Sequence, residues 1–483
     1  MALALPASYS GMLAEAQSKG QQAYDDFLKK AFEEYNSFRD KANKEYADFL
    51  ENPWKEFQEK EAPIKQKDPT PPELVPFDDS EPEPEPQETP IEEVITPPKP
   101  EPQPQPVEPI PENPLVETYV TFTIWGTQMQ VRWSDDLRFS LKGTDESKVA
   151  SGWRTLSNSK YNNTIADLLK LRDQYKLDDW AYLTVIKTFS DKALGTDTNE
   201  SMLLTAFAYC SSGYKMRLGQ SSNKLYMLYA SNHQLFAPAY YYTINGTKFY
   251  PFSKDQVKSM NISESQFPGE KSMSLQLTAI PKITPKVSKA RQLTSKRYPD
   301  MDFTLSTDEN VVSYFDNYPT SMLDNNQMTR WLMYANTPLS STSKSVLYPA
   351  LKEKLSGMSQ YDAVSRILNW VQTAFVYEFD DKVWGGDRAF FGEETLHYPY
   401  CDCEDRAILF SRLVKDIVGL DAVLVFYPGH LASAVAFTET VNGDCIVMNG
   451  RRFTICDPTY VNAPVGRTMP SMDNSSAKVI LIN

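Results

Sequence analysis

The sequence predicts an α+β chain whose body holds two tandem units, preceded by an N-terminal amphipathic helix and a Pro-rich linker. Three observations predict this. Helix-like and strand-like stretches recur in the same order along the last three-quarters of the chain. The stretch at residues 63–114 holds 18 of the chain's 34 prolines. Residues 11–60 carry Ala and aromatic positions at helical spacing. A chain of 483 residues is also too long for one hydrophobic core.

The divisions follow from these patterns: residues 1–62 for the helix, 63–115 for the linker, 116–290 for the first unit and 291–483 for the second. In the helix, Leu28, Ala31, Tyr35, Phe38 and Ala42 follow 3-4-3-4 spacing, and Tyr46 and Phe49 continue it after a stutter. Such a face is expected to self-associate, with docking back on the chain's own body as the alternative. Before it, Ala2-Leu3-Ala4-Leu5-Pro6-Ala7 looks like the tail of a secretory signal without its basic start, or an ordinary terminus. In the linker, runs such as Glu81-Pro82-Glu83-Pro84 cannot form helix or pack a core. They read as an extended spacer, with docking of Pro-rich pieces as the lesser reading. The signal-like start and this spacer together point towards export, to a bacterial periplasm or envelope.

Charge excludes one class of partner. The net charge is −14, from 49 Lys+Arg against 63 Asp+Glu. Residues 63–114 hold 13 acidic and 3 basic side chains, a net −10 that leaves −4 for the rest. No basic footprint for nucleic acid exists. No window approaches the ~20 apolar residues of a membrane span. Five cysteines over this length are not a disulfide scaffold.

Within the body, Glu200 … Leu203-Leu204-Thr205-Ala206 … Asn245-Gly246 parallels Glu404 … Ala407-Ile408-Leu409-Phe410 … Asn449-Gly450, both anchors at an offset of 204. Leu275 and Leu277 match Val479 and Leu481 as a further alternating pair. Each copy reads as a helix pair, a helix leading into a strand, and an Asn-Gly hairpin. The second copy gains an insert between Phe375 and Cys403. It is too polar and Gly-rich for core, and it reads as a lip over the thiol in which Trp384 and Tyr400 contact substrate, or Trp384 helps the oxyanion site. The alternative for Trp384 is a core plug.

The chemistry-bearing residues lie in the second copy. Cys403 opens a helix, where unpaired N–H groups and the helix dipole favour a thiolate. His430 follows a Pro-Gly turn at the start of a strand and is the candidate base. Asp457, just before Pro458, is expected to hold His430 Nδ1–H, and the Cys403 N–H is a ready oxyanion donor. Cys401 with His397 lacks the ligand spacing of a metal site. No metal or cofactor is expected.

The order Cys403-Glu404-Asp405 on a helix start, Gly429-His430 on a strand, and Asp457-Pro458-Thr459 on the next resembles the transglutaminase-like superfamily of papain-type thiol enzymes. The match covers about residues 360–483. The resemblance implies a cysteine-proteinase-like fold with Cys403 as nucleophile, His430 as base and Asp457 as orienting acid. Leu431 follows His430 where many relatives have an aromatic, which bears on substrate preference. The implied reaction is acyl transfer on a peptide or other amide, hydrolysis before cross-linking. The competing reading is an idle scaffold that binds peptide or cell-envelope glycan.

In the first copy Asn199 stands at the place of Cys403 and Ser253 at that of Asp457, with His233 nearby. It reads as a fold kept without chemistry, or as an unrelated α+β domain.

Overall fold

Each half of the body is built around a helix pair laid against a curled sheet. The computed structural model describes residues 22, 30, 37–62, 76–78, 80, 85–106, 118–157, 159–236, 239–277 and 279–483. The signal-like stretch and the helix positions Leu28, Ala31 and Tyr35 lie outside them.

In the first half, helices Asp179–Leu194 and Asn199–Ser211 precede strands Met216–Ser221, Lys224–Ala230, Tyr240–Ile244, Thr247–Pro251 and Ser259–Ile262. In the second, helices Gln360–Ala374 and Cys403–Leu413 precede Asp421–Tyr427, His430–Ala436, Cys445–Met448, Arg451–Cys456 and Lys478–Leu481. The helices start where side chains cap them: Thr198 accepts from Ser201 N, and Asp402 from Glu404 N. Both Asn-Gly pairs turn hairpins with positive φ, 48° and 78° at Asn245-Gly246 and 53° and 74° at Asn449-Gly450.

The sheets share one connectivity. Numbering the five body strands of each half in chain order, both sheets run fifth, first, second, fourth, third. The first half ends on Ser259–Ile262, however, and not on Leu275 and Leu277. Those two side chains alternate because they are buried in the core beyond the sheet.

Both outer edges of both sheets are covered by the N-terminal segment. Lys55–Gln58 pairs with Ser259–Ile262, and Lys60–Glu61 with Tyr240 and Tyr241. Glu88–Pro90 pairs with the Cys445–Met448 strand, and Val94–Ile95 with Val479 and Ile480. Only Glu59 separates the first two pieces, and residues 91–93 the second two. Four peptide steps reach no more than about 14 Å, so each sheet curls until its edges approach, and a strap closes the seam. Part of the expected spacer, residues 85–106, is therefore docked. Pro90 needs no N–H at an outermost position. Ile91 is buried against Val423, Ile446 and Val479, and farther on Gln103 donates to Leu177 O and Asp179 Oδ1.

Residues 37–50 are helical and dock on the body. The buried stripe is Arg39, Ala42, Asn43, Tyr46, Ala47 and Leu50, while Phe38 and Phe49 are 41% and 53% exposed. A straight helix has 3.6 residues per turn, so the apolar face drifts off the heptad seam expected from the sequence. Tyr46 packs on Trp153 at 4.5 Å between ring centroids. The same apolar cluster runs on through Phe207, Tyr314 and Phe391 to Cys403 and Leu431, so the halves share a core. No helix among the described residues is long and apolar enough to cross a membrane.

The strap makes a testable claim. Deleting residues 85–96 is expected to speed hydrogen exchange at amides of 445–448 and 478–481 while leaving 259–262 unchanged. Uniform acceleration across both sheets, or none, would contradict the seam closure.

Candidate functional site

Cys403 is the first residue of its helix, and Asp402 is the cap. Asp405 Oδ2 accepts from Asp402 N at 3.2 Å, and Asp405 Oδ1 from Phe390 N at 2.8 Å. The first turn is thus held from both sides. Its acids crowd one another. Asp402 is pushed well above the usual carboxylate range by burial, then by Glu404 and Asp405. Asp405 is pushed up by burial, then by Asp380. Arg330, 2% exposed, sits beside them with Nη1 3.0 Å from Asp387 and Nη2 3.8 Å from Glu404.

His430 opens its strand behind the two-residue turn at Pro428-Gly429, paired with Tyr427 across the hairpin. Its Nε2 lies 2.8 Å from Asp457 Oδ2. Asp457 Oδ1 accepts from Thr459 N at 2.8 Å and Tyr460 N at 3.2 Å, so one carboxylate fixes both the ring and the turn after the strand. The ring nitrogen on Asp457 is Nε2, not the Nδ1 expected from the sequence. Asp457 sits one residue past its strand, in a register where Ser433 pairs with Cys456, so it reaches His430 diagonally and meets the far nitrogen of the ring.

Helix and strand pack through Ser433, whose hydroxyl donates to Ala407 O at 3.2 Å and accepts from Ser411 Oγ at 3.0 Å. Cys403 and Leu431 lie in one apolar cluster. Cys403, His430 and Asp457 are 5%, 3% and 2% exposed.

Two buried side chains missed by the sequence reading tie the site together. Arg406 Nη1 and Nη2 donate to Gln372 O at 3.2 Å and Phe375 O at 2.8 Å. Gln372 Nε2 donates to Asp457 O, Tyr460 O and Ala463 O at 3.0, 2.8 and 3.2 Å. A path of hydrogen bonds therefore joins the first turn of the Cys403 helix to the Asp457 turn. A third missed residue is Tyr377, whose strand Val376–Tyr377 pairs in parallel with Tyr400–Cys401. A Gln or Arg inside a helical pattern reads as a solvated face, so nothing in the sequence singled these out.

The insert is more buried than its composition suggested. Ala389, Phe390, Phe391 and Leu396 are core. Glu393 accepts from Asp308 N, Ser340 N, Ser340 Oγ and Ser343 Oγ at 2.7–2.9 Å, which lets a carboxylate sit inside. Trp384 is half-buried, so it does not plug the core. Arg388 lies 4.4 Å from its ring centroid and Tyr398 packs edge-on at 4.9 Å. Tyr400 is 40% exposed. Cys401 and His397 have separate partners, Val376 O at 3.9 Å and Thr307 Oγ1 at 2.7 Å. Among the described residues, the metal-capable donors that gather are Asp402, Cys403 and Glu404, within 4.8 Å of one another. All five cysteines are buried thiols.

The first half holds different residues at the matching places. Lys224 pairs with Ser221 across a two-residue hairpin as His430 pairs with Tyr427. Asn199, at the helix start, donates to Asn223 O at 3.1 Å and accepts from Leu225 N at 2.9 Å. Its side chain thus touches the backbone on both sides of the position that matches His430. Ser253 Oγ accepts from Asp255 N at 3.1 Å. His233 directly precedes the two-residue strand Gln234–Leu235, with Nδ1 3.3 Å from Ser321 Oγ.

Two outcomes are expected. Gln372→Leu should cost about 2–3 kcal/mol of unfolding free energy, since it leaves buried carbonyls unpaired; a loss under about 0.5 kcal/mol would show the link to be dispensable. Burial pushes His233 down to about 4 from 6.5. The unfolded state then binds the proton first, so this group's contribution is present above pH 6.5 and is lost as pH falls towards 4. His233→Gln should flatten the fall in Tm across that window, and an unchanged slope would exclude it.

In comparisons with protein-family models, with curated proteins and with solved structures, nothing matches this chain.

Proposed function

We propose that this protein catalyses thiol-dependent acyl transfer on a peptide or other amide bond, as a transglutaminase-like cysteine peptidase or amidase. The observation that carries the reading is the buried 2.8 Å contact of His430 Nε2 with Asp457 Oδ2, on a strand packed beside the helix that Cys403 opens. The first half supports it: at its matching helix start, Asn199 reaches the backbone on either side of the place His430 takes.

In this reading Cys403 Sγ attacks the amide carbonyl carbon and its proton passes to His430 Nδ1. Asp457 steadies the resulting imidazolium through Nε2. The tetrahedral intermediate collapses, the C–N bond breaks, and the amine leaves with the proton from His430. Water then attacks the thioester, giving its proton to His430, and the acid product and thiol are released. Hydrolysis needs no site for an acceptor amine, so it precedes cross-linking.

Iodoacetamide at pH 7 is expected to label Cys403 ahead of the other four cysteines. Asp457→Asn should slow that labelling at least about tenfold by removing the charge behind the imidazole. Equal labelling of Cys401 and Cys403, with no response to Asp457→Asn, would refute the proposal.

A second reading has its own support. Asp402 and Glu404 place carboxyl oxygens beside the Cys403 sulfur, which opposes a thiolate, and the three site residues are almost sealed. It makes the body an idle scaffold that grips peptide or glycan. Under it, Cys403→Ser keeps the biological effect that the enzyme reading says it loses.

A further inference from the structure

We infer that the Tyr377 hydroxyl is the second donor to the oxyanion that forms at Cys403, an assignment that rests on the acyl-transfer proposal.

The hydroxyl is buried and has no hydrogen-bond partner. A buried polar group left unpaired costs about 1–3 kcal/mol, so an orphan beside a reactive centre calls for an occupant. Two other tyrosine hydroxyls, Tyr46 and Tyr209, are also unpartnered, but they belong to the helix docked on the first half and to that half's own core.

Its position is set by backbone and ring together. Tyr377 pairs with Cys401, two residues before the nucleophile, and Glu378 N donates to Cys401 O at 3.2 Å. The Arg406 guanidinium lies 5.2 Å from the ring centroid, and Phe379 meets the ring edge at 5.5 Å. Arg406 is three residues after Cys403 on the same helix, hence a neighbour of it on the helix surface. Since Arg406 is itself fixed by Gln372 O and Phe375 O, the phenol is clamped beside the first turn. Burial, and next the Cys403 thiol, push the hydroxyl's pKa up. It therefore keeps its proton throughout the neutral range and has it to donate.

An attack by Cys403 turns the carbonyl oxygen into an anion. The helix-start N–H of Cys403 is one donor, and a single backbone group leaves the charge half-satisfied. A neutral phenol held out of water stabilises such charge without rearranging. The proton stays on Tyr377 throughout, and the hydrogen bond loosens when the C–N bond breaks and the carbonyl reforms.

The test compares two reagents on the full chain. Iodoacetamide alkylates sulfur by displacement at carbon and forms no oxyanion. p-Nitrophenyl acetate acylates it through a tetrahedral oxyanion and releases nitrophenolate. Tyr377→Phe keeps the ring over Arg406 and removes only the hydroxyl. Acylation of Cys403 should fall about 100-fold, iodoacetamide labelling should stay within about twofold, and the Tm should not drop, because no native hydrogen bond is lost. Unchanged acylation would overturn the assignment. A parallel fall with both reagents would overturn it too, since the hydroxyl would then act on the thiol or the fold. Wild-type Cys403 that takes iodoacetamide but is never acylated would sink the acyl-transfer reading itself, a result distinct from either.

Discussion

A guanidinium in an apolar interior must have its charge answered, and Arg406, 1% exposed, is answered by two main-chain oxygens, Gln372 and Phe375. Both sit at the last turn of the helix Gln360–Ala374, whose final carbonyls have no partner inside the helix. The arginine thus solves two problems at once. It caps that helix, and it locks it to the first turn of the helix opened by Cys403. Gln372 then carries the same lock to the Asp457 turn. The distances at the candidate site are set by this chain of obligatory pairings rather than by the site residues alone.

The two halves show what such a framework permits. Their sheets have the same strand order, and both have a two-residue hairpin after the first strand. From helix start to hairpin the second half runs from Cys403 to His430, 27 residues, against 25 from Asn199 to Lys224. The π-helical turn Val414–Val418 lies within this longer run. Asn199 fills the matching position with two hydrogen bonds to backbone, so that half needs nothing more from it.

Much of this was legible in the sequence because it rests on local signals. Asn-Gly turns, capping residues and the alternation of the body strands each have a short-range cause, and His430 and Asp457 meet because two such strands are neighbours. What was not legible depends on distant partners. Residues 88–95 read as coil because their pairing groups lie on strands hundreds of residues away. Phe38 and Phe49 fit the heptad spacing yet face outward, since the docking surface, not the spacing, selects the buried stripe. The insert's polar composition hid Glu393, whose four donors come from other segments. Tyr377 carried no signal at all, as one aromatic in a two-residue strand resembles any other.

The strap also sets an order of events during synthesis. Glu88–Pro90 leaves the ribosome long before Cys445–Met448, and Val94–Ile95 must wait longer still, for Val479 and Ile480. Until then residues 88–95 have no strand to pair with, while Gln103 farther on already has its partners Leu177 and Asp179 in the first half. Contacts so far apart in sequence form late and slowly. The second sheet is thus the part of the fold most exposed to an interrupted translation, and a chain cut short before Lys478 would release Val94–Ile95 from an edge that never formed.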